Sequence, residues 1–496
     1  MVQGDVKRVL ELSAEQRRRL AARVRDARAG AVDATIPKRA DTGPCALSFG
    51  QQRLWFLEQL SPGTATYNVP NAVRIKGPLN AEALSRALDD IVDRHEVLRT
   101  IFAISNGAPV QLVRPRQASV LRRVDAAESG DLDPHALLAR EASRSFDLSR
   151  DLMLRALLVR RSPAEHLLLA VSHHIAWDPG SRAVFHEELR RLYAHYAAGA
   201  SDRPAELPIQ YADFAVWQRE SLQGAALDRL TGYWMRQMAG VAPHVEIPAD
   251  HPRPRVASFS GRKLLFAMPQ ELLGEASRVA ARSKASLYIA MLSSFVAFLY
   301  ASARQEDIVV GSPIGGRARP ELAPLMGFFI NTLAMRVRVE PALTFDHLLA
   351  RVRETALNAY AHQDLPFEKL VEIVRPPRDR SRNPIFQINF RLGQSVPQPL
   401  ALEGLDVEPL DIVDTGTSKF DLALDIAAAP GASSYFEYAT DLFDESTMLR
   451  LRQQYEQLLR ELLAAPHTPL GQLNAVAGIR QGSGVPPWRG RRQVVS

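Results

Sequence analysis

Residues 172–181 read Ser172-His173-His174-Ile175-Ala176-Trp177-Asp178-Pro179-Gly180-Ser181, and the rest of the chain is interpreted from this stretch. Two adjacent histidines end an apolar run, and an aspartate follows four residues after the second. Histidine exchanges protons near neutral pH without help from its surroundings. An acid close by can fix the geometry around it. The stretch is therefore read as the centre of an acyl-transfer site. If residues 166–174 form a strand, alternate side chains face opposite ways. Ala170, Ser172 and His174 then share one face, and Val171 and His173 the other. Val171 beside His173 implies that His173 packs inward as a structural residue. His174, where the chain leaves the sheet, is the better catalytic candidate. A histidine pair on an apolar strand is, by itself, more often structural than catalytic; the aspartate that follows and the resemblance described below reverse that.

Asp178 has two compatible readings. An aspartate before proline is pushed out of helical backbone, and proline is favoured at the first helical position. Asp178 can thus cap the helix that runs on from Ser181. It can also pair with a buried arginine that holds the loop and the His174 ring in place. Neither reading makes Asp178 the proton acceptor. In the candidate catalytic set of His174, His173 and Asp178, the reacting member is His174.

The chain has 496 residues, too many for one ordinary core, so two or more domains are expected. With 46% hydrophobic and 23% charged residues, the composition is that of a globular protein. No apolar stretch reaches the roughly 18 residues that a membrane helix needs. The N-terminus lacks the apolar core of a signal peptide. A cytoplasmic protein without a membrane partner is expected. Cys45 is the only cysteine, which excludes internal disulfides and cysteine-rich metal sites. A buried thiol beside Leu47 and Phe49 is preferred over a nucleophile. No metal site is predicted. Net charge is +6, but acidic residues are interspersed and no long basic stripe occurs, so nucleic acid is not the expected partner. An acidic protein or a phosphate-bearing prosthetic group suits the charge equally well.

Residues 1–42 are read as an arm, with a helix from an N-cap at Ser13 to Gly30 and then a linker. The arm is either solvated or a docking element. Residues 43–219 form a first α/β unit. Within it, residues 80–102 are read as a helix begun by Asn80. Residues 152–161 and 166–174 are read as a strand hairpin ending at the histidines. Residues 181–200 are read as a helix closed by glycine. Residues 220–475 form a second mixed unit, with strands in KLLFAMP, DIVVGSP, TLAMRVRV, IFQINFRL and SSYFEYATDLF. Residues 271–301 and 345–363 are its expected helices. Similar content implies two related lobes. Residues 476–496 are read as a mobile tail.

The stretch HHIAWDPGS resembles the HHxxxDG signature of nonribosomal peptide synthetase condensation domains. Further matches occur in that family's order. They are LSFGQQRLWFLEQL (47–60), RHEVLRTIF (94–102), YADFAVWQRE (211–220), the run 309–336 containing GSPIGGR and MGFFINT, HQDLPFEKLVE (362–372) and RDRSRNPIFQINF (378–390). The resemblance covers about residues 45–470. It implies an α/β fold of two chloramphenicol-acetyltransferase-like lobes, a V-shaped pseudo-dimer with a central tunnel. Donor and acceptor carrier proteins, each bearing a phosphopantetheine arm, would enter from opposite faces, with no cofactor bound permanently. An acyl thioester on the donor would be attacked by an amine or hydroxyl, and the acceptor is either carrier-bound or a free small molecule. Arg317 matches the position of the arginine that pairs with the motif aspartate. Ser172, Trp177 and Asn331 are candidate tunnel residues, although core packing is the alternative for Trp177. The opening motifs look most like the subclass that takes an L-configured donor. No carrier GGxS serine, adenylation motif or GxSxG elbow is seen, which implies a free-standing or excised condensation enzyme with carriers on other chains.

One position departs from the signature. The glycine after the aspartate is replaced by Pro179, which has no N–H. Any oxyanion contact from that amide is lost, and such a donor is worth roughly 2.7–4 kcal/mol in acyl transfer. Gly180 or Ser181 is the expected substitute. The competing reading is a catalytically silent relative that kept the fold for recruitment. A coenzyme-A-dependent acyltransferase shares HxxxD but carries a DFGWG motif that is missing here.

Overall fold

The hairpin read from the two apolar runs forms as expected, and a sheet grows around it. A computed structural model describes residues 35–115, 119–126, 133–201, 204–242, 244–393, 399–410 and 415–482. The expected arm helix and the end of the tail lie outside these residues. The first half runs β1 (Cys45–Ala46), α1 (Phe49–Leu60), β2 (Asn68–Lys76), α2 (Ala81–Arg94), β3 (Thr100–Ser105), β4 (Ala108–Val113), β5 (Leu121–Asp125), α3 (Pro134–Ala142), β6 (Leu154–Ser162), β7 (Glu165–His173), α4 (Pro179–Ala198) and α5 (Tyr211–Ser221). The second runs α6 (Gly224–Met238), β8 (Gly261–Phe266), α7 (Gln270–Arg282), α8 (Leu287–Ala303), β9 (Asp307–Ile314), β10 (Asn331–Arg338), α9 (Phe345–Ala361), α10 (Phe367–Val374), β11 (Ile388–Gly393), β12 (Asp406–Pro409), β13 (Leu422–Ala427), β14 (Ser434–Ala439), α11 (Glu445–Ala464) and α12 (Asn474–Gly482).

The fold is α/β with two lobes, each around its own core. The first lobe has a sheet in the order β12-β2-β7-β6-β5 beside a small β1-β4-β3 sheet; the second has β10-β9-β11-β13-β14-β8. The lobes exchange elements. Strand β12 crosses from the second half and pairs antiparallel with β2, Asp406 opposite Lys76 and Pro409 opposite Val73. Leu322, Leu325, Met326 and Phe329 of the second half enter the first core, and Phe49 of the first half enters the second. These exchanges tie the lobes together.

Local chemistry accounts for most boundaries. Asn80 caps α2 through the Ala83 amide, and Gly199, at φ +71°, closes α4. Two expected helices are shorter than read. The one begun at Asn80 stops at Arg94, and Thr100–Ser105 instead pairs with β4. The long helix over 271–301 is two helices, α7 and α8, bent by 103°. Lys284 in the break takes φ +50°, and Ser286 caps α8. Helix α8 is apolar on all sides because it is buried on nearly all sides. Among the described residues no single helix is long and apolar enough to cross a membrane.

Both ends differ from the expected organisation. Ile36 is 3% exposed in the first core, and Arg39 bonds to Asp213 and Glu96, so residues 36–39 pack on the first lobe. Val476 and Ile479 of α12 lie in the second core, so residues 476–479 belong to the fold rather than to a mobile tail.

Candidate active site

Strand β7 ends at His173, opposite Asn68 of β2, and His174 opens one 3-10 turn, His174–Ala176. The strand alternation that placed His174 with Ser172 therefore stops one residue short of His174. The turn itself aims the ring. The His174 amide donates to Tyr67 O at 2.8 Å, which pins the turn to the start of β2.

The two histidines have different surroundings. His173 is 2% exposed. Its Nδ1 accepts from the Ile175 amide at 3.1 Å, and its ring meets Phe146 at 5.6 Å and Tyr67 at 6.2 Å. The Glu58 carboxylate lies 3.9 Å from its Nε2. Burial lowers its pKa below the ordinary histidine value. His174 is only half-buried. Its Nδ1 lies 2.6 Å from Trp177 O. A carbonyl only accepts, so Nδ1 carries the proton and Nε2 keeps its lone pair. Burial, and then the nearby Lys419 ammonium, hold His174 well below the ordinary value, so it is neutral at pH 7. Lys419 comes from the second lobe, its Nζ 5.5 Å from the Tyr67 ring. Burial, with Lys263, Arg53 and Arg391 against Glu437, brings Lys419 down to about 8. The Phe328 ring, also from the second half, packs edge-on against His174 at 5.0 Å.

Asp178 takes both of the roles read for it. It caps α4, its Oδ1 accepting from the Ser181 amide at 2.7 Å. It also pairs with Arg317, Nη2 to Oδ1 at 2.7 Å and Nε to Oδ2 at 3.3 Å, and accepts from the Phe329 amide at 3.3 Å. At 1% exposed and fully engaged, it anchors the turn. Arg317 also donates to Leu322 O and Leu325 O, each at 2.6 Å, which locks the 317–329 loop onto the α4 N-terminus. Gly180 is required here: a Cβ would lie 2.5 Å from Arg317 Nε.

The other expected site residues are placed as follows. The Ser181 amide is spent on Asp178, and its Oγ accepts from the Gly327 amide at 3.0 Å, so Ser181 closes the cap and leaves no amide for an oxyanion. Trp177 is 3% exposed and packs on Phe185, the core packing held as its alternative, and its carbonyl accepts from His174 Nδ1. Ser172 is buried and its Oγ reaches Val69 O at 3.4 Å. Asn331 lines a cavity of about 760 Å³ walled by both halves. Its amide donates to Gln363 O and Leu365 O and its Oδ1 accepts from the Phe367 amide, stapling the HQDLPF segment to β10. Phe328 also lines this cavity, and its ring contacts His174. Sequence reasoning missed Phe328, Lys419, Tyr67 and Glu58. Phe328 and Glu58 lie inside quoted motifs; no local signal marked Lys419. Among the described residues no group of three or more His, Cys, Asp or Glu is arranged to hold a metal.

Comparison with known proteins identifies the family. Residues 42–479 match the condensation-domain family. The chain belongs to that family, the condensation domains of nonribosomal peptide synthetases. This condensation domain is 42% identical over 438 residues to a linear gramicidin synthase of Brevibacillus parabrevis, covering 87% of the chain and 6% of that protein. It is 40% identical over 481 residues to the phosphinothricin tripeptide synthetase PhsC of Streptomyces viridochromogenes, covering 94% of the chain and 44% of that protein. The chain thus spans less than half the length of these relatives. Among solved structures, the X-domain from teicoplanin biosynthesis superposes with a TM-score of 0.83 at 25% identity, over 89% of this chain and 100% of that one. That X-domain has also been solved in complex with OxyB.

Proposed function

We propose that this domain is a condensing acyltransferase. It moves an acyl group from a phosphopantetheine thioester on a donor carrier protein to an amine or hydroxyl, carrier-bound or free. The nucleophile's lone pair forms the new C–N or C–O bond and the C–S bond breaks. The proton lost by the nucleophile passes through His174 Nε2 to the departing thiolate. The observation that carries this reading is the commitment of His174 Nδ1 to Trp177 O, which in the neutral ring puts the lone pair on Nε2. A free amine is already partly neutral near pH 7, so for it His174 orients the nucleophile and takes up the charge of the zwitterion. A hydroxyl needs a general base, worth about 10²–10⁴-fold. Arg317, Asp178 and Ser181 position the turn; His173 supports it from beneath. The reaction belongs in the cytoplasm, beside the carriers.

Pro179 favours a second reading, a recruitment domain without turnover, in the manner of an X-domain that binds OxyB. The test is to load donor carriers with acyl thioesters, add amine and alcohol acceptors, and follow the product by mass spectrometry. Product from the wild type that is lost in His174→Ala supports the enzyme. No product from the wild type, with carriers or another protein still bound, supports recruitment.

A further inference from the structure

The 760 Å³ cavity is of the size that holds small-molecule ligands. Much of its polar lining is engaged, while Arg229 adds a charge to the wall. The Asn331 amide is used on backbone, Gln218 Oε1 accepts from the Phe49 amide, Glu368 pairs with Arg53 at 3.6 Å, and Arg319 lies over Trp217 at 4.6 Å. The apolar part of the wall is chiefly Phe214, Trp217, Leu230, Ile314 and Ile330.

One side chain touches both this cavity and the imidazole. Phe328 lines the cavity and packs edge-on against His174 at 5.0 Å. Its backbone is fixed, because Tyr211 OH donates to Phe328 O at 2.7 Å. Its ring lies flush on the start of α1 only because residue 50 is glycine; a Cβ there would come within 2.8 Å of the ring. The ring is thus held in place between the cavity lining and His174 by its backbone bond and by Gly50.

We propose that Phe328 is a specificity-determining residue. Its ring partitions the cavity from the reacting centre, and the side chain at 328 sets how far the hydrocarbon part of a substrate extends past His174. This rests on the acyltransferase reading above. The hydrocarbon has two sources, the donor's acyl chain or the acceptor's alkyl group, and two series distinguish them. The first uses N-acetylcysteamine thioesters from acetyl to decanoyl with one amine. The second uses amines from ethylamine to octylamine with one thioester. Each is run with wild type, Phe328→Ala and Phe328→Leu.

Hydrophobic pockets discriminate by about tenfold or more per methylene. In one series, the kcat/KM ratio of the longest to the shortest member is expected to rise at least about tenfold in Phe328→Ala, and by less in Phe328→Leu. The series that responds names the source. Unchanged ratios in both series overturn the proposal; Phe328→Leu decides alone if the alanine variant does not fold. If no protein, wild type included, makes product, the acyltransferase reading fails by itself. The partition is then judged in crystals of the Phe328 variants under xenon pressure. Xenon along a continuous path from the cavity to the imidazole supports it, and a cavity still closed from His174 overturns it.

Discussion

His173 and His174 are covalent neighbours with opposite surroundings. His173 is packed by first-lobe residues, Ile175, Phe146, Tyr67 and Glu58, with the second half's Lys419 acting on it only as a minor charge. His174 sits at the junction, with Trp177 on one side and Phe328 and Lys419 of the second half on the other. The same side chain becomes a packing unit where one lobe closes over it. Where the second lobe also packs on it, it stays half-buried, its Nδ1 committed to Trp177 O. The chemistry of the pair is therefore set by where the lobes meet.

The sharpest way to break that comparison is to remove each ring. With a hydroxyl acceptor, His174→Ala is expected to lower turnover by about 10²–10⁴-fold, and with an amine by clearly less. Matched product assays check this; equal losses with both acceptors remove the general-base role. Asp178→Ala should cost about 3–5 kcal/mol of stability, because Arg317 is left buried without its partner. Urea unfolding measures it. His173→Ala should cost about 1–3 kcal/mol, since the Ile175 amide loses its acceptor. The same unfolding assay should find His174→Ala milder than His173→Ala; the reverse order would contradict the contrast.

Both histidines have folded pKa values below the ordinary one, so the unfolded chain binds more protons. Stability is therefore expected to fall as pH drops below about 6.5, by up to about 1.4 kcal/mol per pH unit for each ring. Urea midpoints taken across this range should drop less in His174→Ala, where one of the two contributions is gone. The smallest effect is expected of Lys419→Met. Removing the ammonium should raise the His174 pKa and move the acid limb of the pH–rate profile to higher pH, while His173, more enclosed, responds less. Imidazole NMR titration reads both rings directly.

Much of this was legible in the sequence because it is local. Asn80 and Asp178-Pro179 mark helix starts through side-chain and backbone chemistry within three residues. The apolar runs of β6 and β7 are long and adjacent enough to demand a hairpin. Local patterns also misled. Helical spacing continues through Val97, yet β3 forms because Thr100–Ser105 has β4 as a partner. Strand parity gave a face for His174, but the chain turns before that residue. Trp177 looked like a tunnel residue from its size and position; its neighbour Phe185 made it core.

The order of motifs pointed to the family and its two-lobe α/β fold, and local capping chemistry marked the helix after Asp178, because these signals lie in the sequence itself. Tertiary structure decided what each ring does. Arg317 reaches Asp178 across 139 residues of chain, and Phe328 and Lys419 come to His174 from still farther along it. Burial, charge and access are sums over everything that packs around a group, and for these two histidines most of that sum comes from distant chain.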